Sequence, residues 1–416
     1  MRIKSNNFFP GLATLLLAII CLLPAIARRQ AAPVISPAAN RHLPEGPAEA
    51  DTVTISLLTC GPGREIFELC GHEAVRVRYA SGADTVWNYG LFSFEQPNFV
   101  YRFVKGETDY MAGCYPTRYF LPEYVASGRW IVEQDLNLTP ALRDTLLRLL
   151  RRDVLPENRV YRYNYVRDNC ATRIVDRLEE AAGETILIPD TIKYGTWRKE
   201  MRAYHADYPW YQFGIDLALG GGLDRPLRSR EEMFVPMEMM DKLENARWHS
   251  GEPVVKATRI LNEGRRDATL PPTPFWLTPL FWSWIVFLSA VILTVVMIRR
   301  KRVIRWPYVL WFGLTGIAGC VIAFLVFISE HEATTPNLLL LWLNPLQLLI
   351  PAFIYCRRIW RLPARIVLWY DTIVLTVLLI VWPFQMQSAN QAFFPLMATS
   401  LLLSAIYLGL ARYLKE

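Results

Sequence analysis

The carboxy-terminal part of the chain, from Phe275 onward, consists of long apolar stretches separated by short polar loops. About 20 apolar residues in a helix cross a bilayer core roughly 30 Å thick. Backbone groups in lipid must be hydrogen-bonded within the chain, so such a stretch has few alternatives to a spanning helix. The pattern predicts about five membrane spans, near residues 275–298, 307–329, 338–355, 366–384 and 393–411.

The loops between these stretches differ in charge. Arg299–Arg305 and Arg357–Arg365 are rich in arginine, whereas Glu330–Asn337 and Pro383–Gln391 contain neither Lys nor Arg. Loops rich in Lys and Arg remain in the cytoplasm. The pattern therefore predicts that the residues before 275 lie outside a bacterial inner membrane and that Glu416 lies inside.

The amino terminus carries an export signal that agrees with this topology. Arg2 and Lys4 precede an apolar run from about Leu12 to Ile26, and Ala25-Ile26-Ala27 fits a cleavage site. An uncleaved anchor is the alternative. The net charge of +7 is concentrated in membrane-flanking loops, so it does not indicate nucleic-acid binding. The chain divides into a signal or anchor (1–27), a linker (28–50), an exported domain (51–248), a second linker (249–274) and a membrane domain (275–416).

The exported part contains short runs of alternating apolar and polar residues, which are typical of β-strands. Such runs cover residues 52–58, 72–79 and 129–135, and residues 84–89 form the hairpin partner of the second. The alternation places His72 and Val75 on opposite faces of their strand. A helix begins after Thr139, because an N-cap residue is followed there by a proline.

A cysteine lies at the start of another predicted helix. Asp168 and Asn169 are N-cap residues before Cys170, and Gly183 ends the helical apolar pattern. A cysteine in the first turn faces unpaired backbone N–H groups and the positive end of the helix dipole. Both favour the thiolate, so the sequence predicts that Cys170 is a nucleophile.

Such a nucleophile needs a base, and the chain contains five histidines. His72 opens a predicted strand, and Asn88 on the hairpin partner could lie across from it and orient its ring. Alternatively, Asn88 caps the strand end before Gly90. The pattern favours a papain-like Cys–His–Asn arrangement in which the His strand precedes the Cys helix. Three other candidate bases lack such a polar neighbour: His42, His205 and His249.

The exported cysteines would lie in a compartment that permits disulfides. Cys60 and Cys70 could pair across the loop between them, or could bind zinc with His72. No CxxC or HxxxH spacing supports zinc, so we predict neither a metal nor another cofactor.

Three stretches resemble a known family: Ser56–Tyr79, Asp84–Val100 and Tyr163–Asp176. They contain a T-C-x-P-G turn, a G-H strand start, an N-Y-G hairpin and a D-N-C-x-T-R-x-x-D helix. Over roughly residues 52–235 the chain resembles the periplasmic domain of the Lnb-type lipoprotein N-acyltransferases, and the membrane half resembles that family's companion domain. Cys70 departs from the pattern, in which an aromatic residue precedes Gly-His. More distantly, the His-then-Cys order is similar to lecithin–retinol acyltransferase and permuted NlpC/P60 proteins.

This resemblance implies a fold and a reaction. The fold is an α+β permuted papain-like domain followed by an all-α transmembrane bundle. The reaction is N-acylation of the amino-terminal diacylglyceryl cysteine of lipoproteins, with a membrane phospholipid as acyl donor. His72 would take the proton of Cys170, which attacks an ester carbonyl to form a thioester, and the lipoprotein amine would then displace it. N–H groups at the helix start would stabilise the oxyanion.

Four polar residues are candidates for lipid binding. Arg173, one turn along the same helix, could bind the donor phosphate or form a salt bridge to Asp176. His331, Asn337 and Asn344 flank the predicted outer membrane boundary, where we expect them to shape the path of the lipid; ordinary loop and cap roles are the alternative.

Three other functions remain open. They are a permuted NlpC/P60-like peptidase or amidase acting on peptidoglycan, a phospholipase, and a membrane receptor or scaffold in which Cys170 pairs with Cys114 or another thiol. Several spans favour acyl transfer, because a peptidoglycan hydrolase needs at most one anchor whereas a bundle can form a groove for acyl chains.

Overall fold

The computed structural model describes residues 53–92 and 97–410. The predicted signal or anchor (1–27) and the first linker (28–50) lie outside these ranges. The described residues form a sheet domain (53–274) followed by a helical membrane domain (275–410). This confirms the predicted order of an α+β domain and an all-α domain.

One antiparallel sheet organises the sheet domain. The spatial order of its seven strands, counted in the described residues, is β6-β4-β3-β2-β1-β5-β7. The predicted hairpin is present, and Ala74 of β2 pairs with Asn88 of β3. The strands are β1 (Val53–Cys60), β2 (His72–Tyr79), β3 (Asp84–Leu91), β4 (Asp109–Pro116), β5 (Ile131–Leu136), β6 (Val160–Arg162) and β7 (Val255–Asn262).

Strand β7 lies within residues 249–274, where the sequence suggests only a linker. It pairs with β5 at the edge of the sheet. Most of its residues are exposed on both faces, so the strand lacks the apolar alternation that reveals a half-buried strand in a sequence.

Helices cover the sheet and connect its strands. Those of the sheet domain are α1 (Phe99–Lys105), α2 (Leu121–Ala126), α3 (Pro140–Asp153), α4 (Cys170–Ala182), α5 (Trp197–Tyr204), α6 (Pro209–Ala218), α7 (Ser229–Glu232) and α8 (Pro236–Glu244). Helices α3 and α4 pack on the sheet face that carries Val75 and Trp87. The opposite face carries Ala74 and packs against Phe120 and Tyr124 of the α2 region. The predicted division of the β2 residues between two faces is therefore confirmed.

The membrane domain contains α9 (Pro279–Arg300), α10 (Trp306–Phe327), α11 (Leu349–Phe353), α12 (Leu362–Val381) and α13 (Phe393–Leu410). Four segments of the described chain are long and apolar enough to cross a membrane: Pro279–Arg300, Trp306–Phe327, Leu362–Phe384 and Phe393–Leu410. They correspond to four of the five predicted spans.

The third predicted span, near residues 338–355, is not one continuous helix in the structure. Residues 338–353 form two 3-10 turns, Leu338–Leu341 and Pro345–Leu348, and the short helix α11. The backbone is extended at Asn344, just before Pro345, and it packs directly on α10. A Cβ atom added to Gly319 of α10 would lie only 2.5 Å from the Asn344 carbonyl carbon. Irregular backbone at membrane depth is tolerated where protein buries it, as it is here.

The two domains dock through loops of the membrane domain. The N–H groups of Gly220 and Gly221 donate to the carbonyls of Ala333 (2.8 Å) and Pro336 (2.7 Å). A Cβ atom on Gly220 would lie 2.3 Å from the Pro336 oxygen, so this position needs glycine. The triple-glycine loop, Gly220–Gly222, therefore forms a docking contact.

Helix α1 makes a second contact between the domains. The Ser329 hydroxyl donates to the Val104 carbonyl (2.9 Å), and the Glu330 N–H donates to the Lys105 carbonyl (2.7 Å). This short helix therefore lies where the sheet domain meets the end of α10.

Candidate active site

Cys170 is the first residue of α4, and the cap of this helix fixes its position. The Asn169 side-chain oxygen accepts from the N–H groups of Ala171 (2.9 Å) and Thr172 (3.0 Å). The Thr172 hydroxyl accepts from the Asn169 N–H (2.8 Å), which completes a reciprocal capping box. The Asn169 amide also donates to the Phe234 carbonyl (2.8 Å), so the helix start is tied to a distant segment.

The Cys170 thiol is protonated at neutral pH in this environment. Only 7% of the residue is exposed, and burial raises the pKa of its thiol to about 11. Backbone N–H groups of Glu73 and of the helix start favour the thiolate and offset part of this effect. The N–H groups therefore act in the predicted direction, but burial outweighs them and the resting thiol keeps its proton.

His72 is held by a chain of hydrogen bonds. Its Nε2 lies 2.6 Å from Asn88 Oδ1, so the predicted contact between these residues is present. The Asn88 amide donates in turn to the Tyr115 hydroxyl (2.9 Å), and the imidazole stacks on the Tyr124 ring. An amide oxygen can only accept, so this arrangement assigns the proton to Nε2 and leaves Nδ1 as an acceptor.

Burial also sets the protonation state of His72. It lowers the pKa of the imidazole to about 4, although the Asn88 hydrogen bond opposes this effect. His72 is therefore neutral at physiological pH and able to accept a proton.

The thiol and the imidazole approach one end of the sheet from different faces. Cys170 packs with Val75 and Trp87, whereas His72 shares the face of Ala74. The backbone N–H of Glu73, next to His72 in the chain, lies near enough to the Cys170 sulfur to lower the pKa of its thiol. The structure shows no direct hydrogen bond between Cys170 and His72, but both line one cavity. Catalytic hydrogen bonds of this kind often form only when substrate is bound.

This cavity measures about 550 Å³ and has a mainly aromatic lining. It extends from Cys170 and His72, past Tyr163, to Phe103 of α1 and His331 of the membrane domain. The other aromatic residues of its wall are Phe67, Tyr89, Phe92, Phe99, Tyr110, Tyr165, Tyr211 and Phe234. The cavity therefore connects the thiol with the junction between the two domains.

Arg173 lies outside the residues that line the cavity. It forms a bidentate ion pair with Asp168, and its guanidinium carbon lies 3.4 Å from the centre of the Tyr161 ring. The alternative of a salt bridge to Asp176 is wrong, because Asp176 pairs with Arg230 (2.6 Å).

The three residues predicted near the membrane boundary have different surroundings. His331 lines the cavity, and its Nε2 lies 2.8 Å from the Phe103 carbonyl oxygen. Asn337 is buried and donates to the Leu217 carbonyl (3.0 Å), so it joins the two domains. Asn344 is buried against α10 at the break in the third apolar segment. Only the first of the three is placed to contact a molecule in the cavity.

No disulfide joins the described cysteines of the sheet domain. Cys60 is buried at the end of β1, whereas Cys70 lines the cavity, and no disulfide joins them. Within residues 53–92 and 97–410, no group of three or more His, Cys, Asp or Glu residues could hold a metal ion.

Tyr115 and Glu73 are site residues that the sequence does not reveal. Tyr115 reaches Asn88 because β3 and β4 are neighbours, and this register cannot be read from the local sequence. Glu73 is fully buried on a strand with polar neighbours. Its carboxyl accepts from the Thr59 hydroxyl (2.9 Å), and burial raises its pKa well above the usual range.

Comparison with known protein families gives two matches. The Lnb N-terminal periplasmic domain matches residues 42–201, and the Lnb transmembrane domain matches residues 272–415. Neither a curated protein nor a solved structure gives a match. The two family matches together cover well over half of the chain, in the order in which the structure places its sheet and membrane domains. The chain therefore belongs to the Lnb family.

Proposed function

We propose that this membrane protein is a lipoprotein N-acyltransferase, with its sheet domain in the periplasm of a bacterial inner membrane. It moves an acyl chain from a phospholipid to Cys170 and then to the amino-terminal amine of a lipoprotein. The observation that carries this proposal is the aromatic cavity, which has a thiol and an imidazole at one end and the membrane domain at the other.

The surroundings of α1 support delivery of the acyl chain from the membrane. Val100 and Tyr101 are 62% and 55% exposed, and the Tyr101 ring packs against Phe324 near the end of α10. Phe99 and Phe103 of the same helix line the cavity. Exposed apolar residues next to a spanning helix are suited to contact lipid, so α1 forms the lipid-facing wall of the cavity mouth.

In the first half-reaction, Cys170 attacks an ester carbonyl of the phospholipid. Its pKa of about 11 makes the thiolate rare at neutral pH, so the proton must leave the sulfur as the new bond forms. Nδ1 of His72 takes this proton, and Asn88 stabilises the resulting imidazolium. The imidazolium then protonates the leaving alcohol, which gives a lysophospholipid and an acyl thioester on Cys170.

The oxyanion needs donors that are not already engaged. The N–H groups of Ala171 and Thr172 donate to the Asn169 side chain, so they are poor candidates. The N–H groups of Cys170 and Glu73 lie near the sulfur and favour its thiolate form. We assign the oxyanion to these two donors, one from the helix and one from β2.

In the second half-reaction, the lipoprotein amine attacks the thioester carbonyl. His72 takes a proton from the amine and returns it to the Cys170 sulfur, which leaves as the thiol. The products are an amide on the lipoprotein and the regenerated enzyme.

The alternatives differ in what receives the acyl group. A phospholipase uses the same first half-reaction with water as the acceptor. A peptidoglycan hydrolase has no use for a cavity that opens towards a membrane domain. A scaffold that pairs Cys170 with Cys114 is disfavoured, because no disulfide joins these two residues in the structure.

The proposal is tested with the full-length protein in detergent micelles. The donor is phosphatidylethanolamine, and the acceptor is a synthetic peptide with an amino-terminal diacylglyceryl cysteine. We expect acylated peptide and lysophospholipid in equal amounts, and neither with Cys170→Ala. The same peptide with an acetylated amine is the matched control and should remain unchanged. Free fatty acid without acylated peptide would instead establish a phospholipase.

A further inference from the structure

A second thiol, Cys70, faces the same cavity as Cys170. Its sulfur lies 3.1 Å from the Tyr165 hydroxyl and 3.9 Å from Nε2 of His205. Tyr165 also lines the cavity. Cys70 is therefore a thiol with an imidazole and a phenol beside it, in contact with the space assigned to the acyl group.

His205 is held in a fixed orientation. It is 1% exposed, its Nδ1 lies 2.9 Å from Gln212 Oε1, and its ring packs edge-on against Tyr211. This leaves Nε2 directed at the Cys70 sulfur. Burial lowers the pKa of His205 to about 4, so its imidazole is neutral and able to accept a proton.

The groups around Cys70 repeat the chemistry of the first site. Each site combines a thiol, a neutral imidazole and a side-chain amide oxygen at the far ring nitrogen: Cys170, His72 and Asn88 in one, and Cys70, His205 and Gln212 in the other. The two imidazoles come from different parts of the chain. His205 lies directly beside the Cys70 sulfur, whereas His72 shares a cavity with Cys170. A cysteine that only fills space in a core needs no such partner.

We infer that Cys70 is a second acyl-carrying thiol, which receives the acyl group from Cys170 by thioester exchange with His205 as its base. This inference rests on the proposed acyltransferase function. The Cys70 sulfur attacks the carbonyl of acyl-Cys170 and gives its proton to Nε2 of His205. A carbon–sulfur bond forms at Cys70, the bond at Cys170 breaks, and the Cys170 sulfur leaves as a thiolate that takes a proton from solvent. No oxidant or other reactant is required.

The exchange separates the two halves of the reaction in space. The acyl group leaves the site where the lysophospholipid was produced, so the reverse reaction no longer competes. The amine then attacks the acyl-Cys70 carbonyl and loses one proton to solvent, which replaces the proton taken up by Cys170. The proton held by His205 returns to the Cys70 sulfur, which leaves as the thiol.

The experiment locates acyl groups on the full-length protein. The protein in detergent micelles is incubated with dipalmitoyl phosphatidylethanolamine, without acceptor, and its peptides are analysed by mass spectrometry before and after hydroxylamine. We expect hydroxylamine-sensitive palmitoyl groups on both Cys170 and Cys70 in the wild type, on Cys170 alone in Cys70→Ala, and on neither in Cys170→Ala. With acceptor peptide added, Cys70→Ala should form amide at least about tenfold more slowly while acyl-Cys170 accumulates.

Further variants guard against a merely structural effect. His205→Gln should lower acylation of Cys70 while leaving acyl-Cys170 intact. Cys114→Ala, a buried cysteine of the sheet core, is the matched control and should leave both acyl groups unchanged.

The outcomes separate this inference from the proposed function. Acyl-Cys170 alone in the wild type, or normal amide formation by Cys70→Ala, would overturn the second thiol and leave the acyltransferase standing. Acyl-Cys70 in the Cys170→Ala variant would overturn the order of exchange. No acyl group on either thiol would overturn the proposed function as well.

Discussion

Removal of the Asn88 side chain tests how His72 is held. Asn88 is 5% exposed, and it connects Nε2 of His72 (2.6 Å) with the Tyr115 hydroxyl (2.9 Å). A hydrogen bond to a charged group is worth about 1.5–3 kcal/mol, and the bond to His72 becomes one when the imidazolium forms. Since about 1.4 kcal/mol corresponds to a factor of ten, Asn88→Ala should lower kcat about ten- to hundredfold.

KM for the phospholipid should change little, because Asn88 is not part of the cavity wall. Asn88→Ala also leaves the buried polar groups of His72 and Tyr115 without their Asn88 partner, which should lower the free energy of unfolding by about 1–3 kcal/mol. Acyl transfer to the synthetic peptide gives kcat and KM, and thermal unfolding in detergent gives the stability.

Two further variants separate orientation of the imidazole from general damage. Tyr115→Phe removes only the outer hydrogen bond and should lower kcat less than about threefold. Asn88→Asp places a carboxylate beside Nε2, which stabilises the imidazolium and raises the pKa of His72. On acidification, the activity of Asn88→Asp should therefore fall at a higher pH than the activity of the wild type. Full activity of Asn88→Ala, or equal losses in Asn88→Ala and Tyr115→Phe, would refute the reasoning.

Three other predictions follow from the described contacts. Burial raises the pKa of Cys170 to about 11, so its alkylation by iodoacetamide should accelerate about tenfold per pH unit between about pH 7 and pH 10. Peptide mass spectrometry follows the alkylation, and a rate that is already constant at pH 6 would show a thiolate instead. A benzophenone side chain at Val100 should crosslink to phospholipid, whereas one at Ala80, in the exposed turn at the far end of β2, should not. Equal crosslinking at both positions would contradict the assignment of α1 to the cavity mouth. Gly220→Ala should loosen the docking of the two domains and speed proteolysis between them, because its Cβ would lie 2.3 Å from the Pro336 oxygen. Gly214→Ala, which has open space around it, should not change the rate of proteolysis.

Local signals in the sequence were sufficient to predict much of the sheet domain. The strand over His72–Tyr79 and the helix after Thr139 follow from alternation and from an N-cap followed by proline. The contact between His72 and Asn88 could also be predicted, because a short turn joins their strands and sets the register.

Features that depend on distant parts of the chain could not be predicted in this way. The break at Asn344 combines packing against Gly319 with Pro345, which disfavours a helical conformation for the residue before it; the apolar composition that predicts the span does not take this proline into account. Protonation of Cys170 depends on burial by the whole domain, which reverses the effect of the helix start. The proximity of Cys70 and His205 joins segments 135 residues apart in the chain, and no local pattern connects them.

The central claim is that Cys170 and His72 transfer an acyl chain to lipoproteins. Its most direct test is mass spectrometry of the amino-terminal peptide of a reporter lipoprotein, from cells in which this protein is the sole candidate N-acyltransferase. Wild type, Cys170→Ala and His72→Ala are compared after confirming that all three reach the membrane. We predict an N-acylated peptide with the wild type and a free amine with both variants. A free amine with the wild type, or an acylated one with Cys170→Ala, would contradict the account.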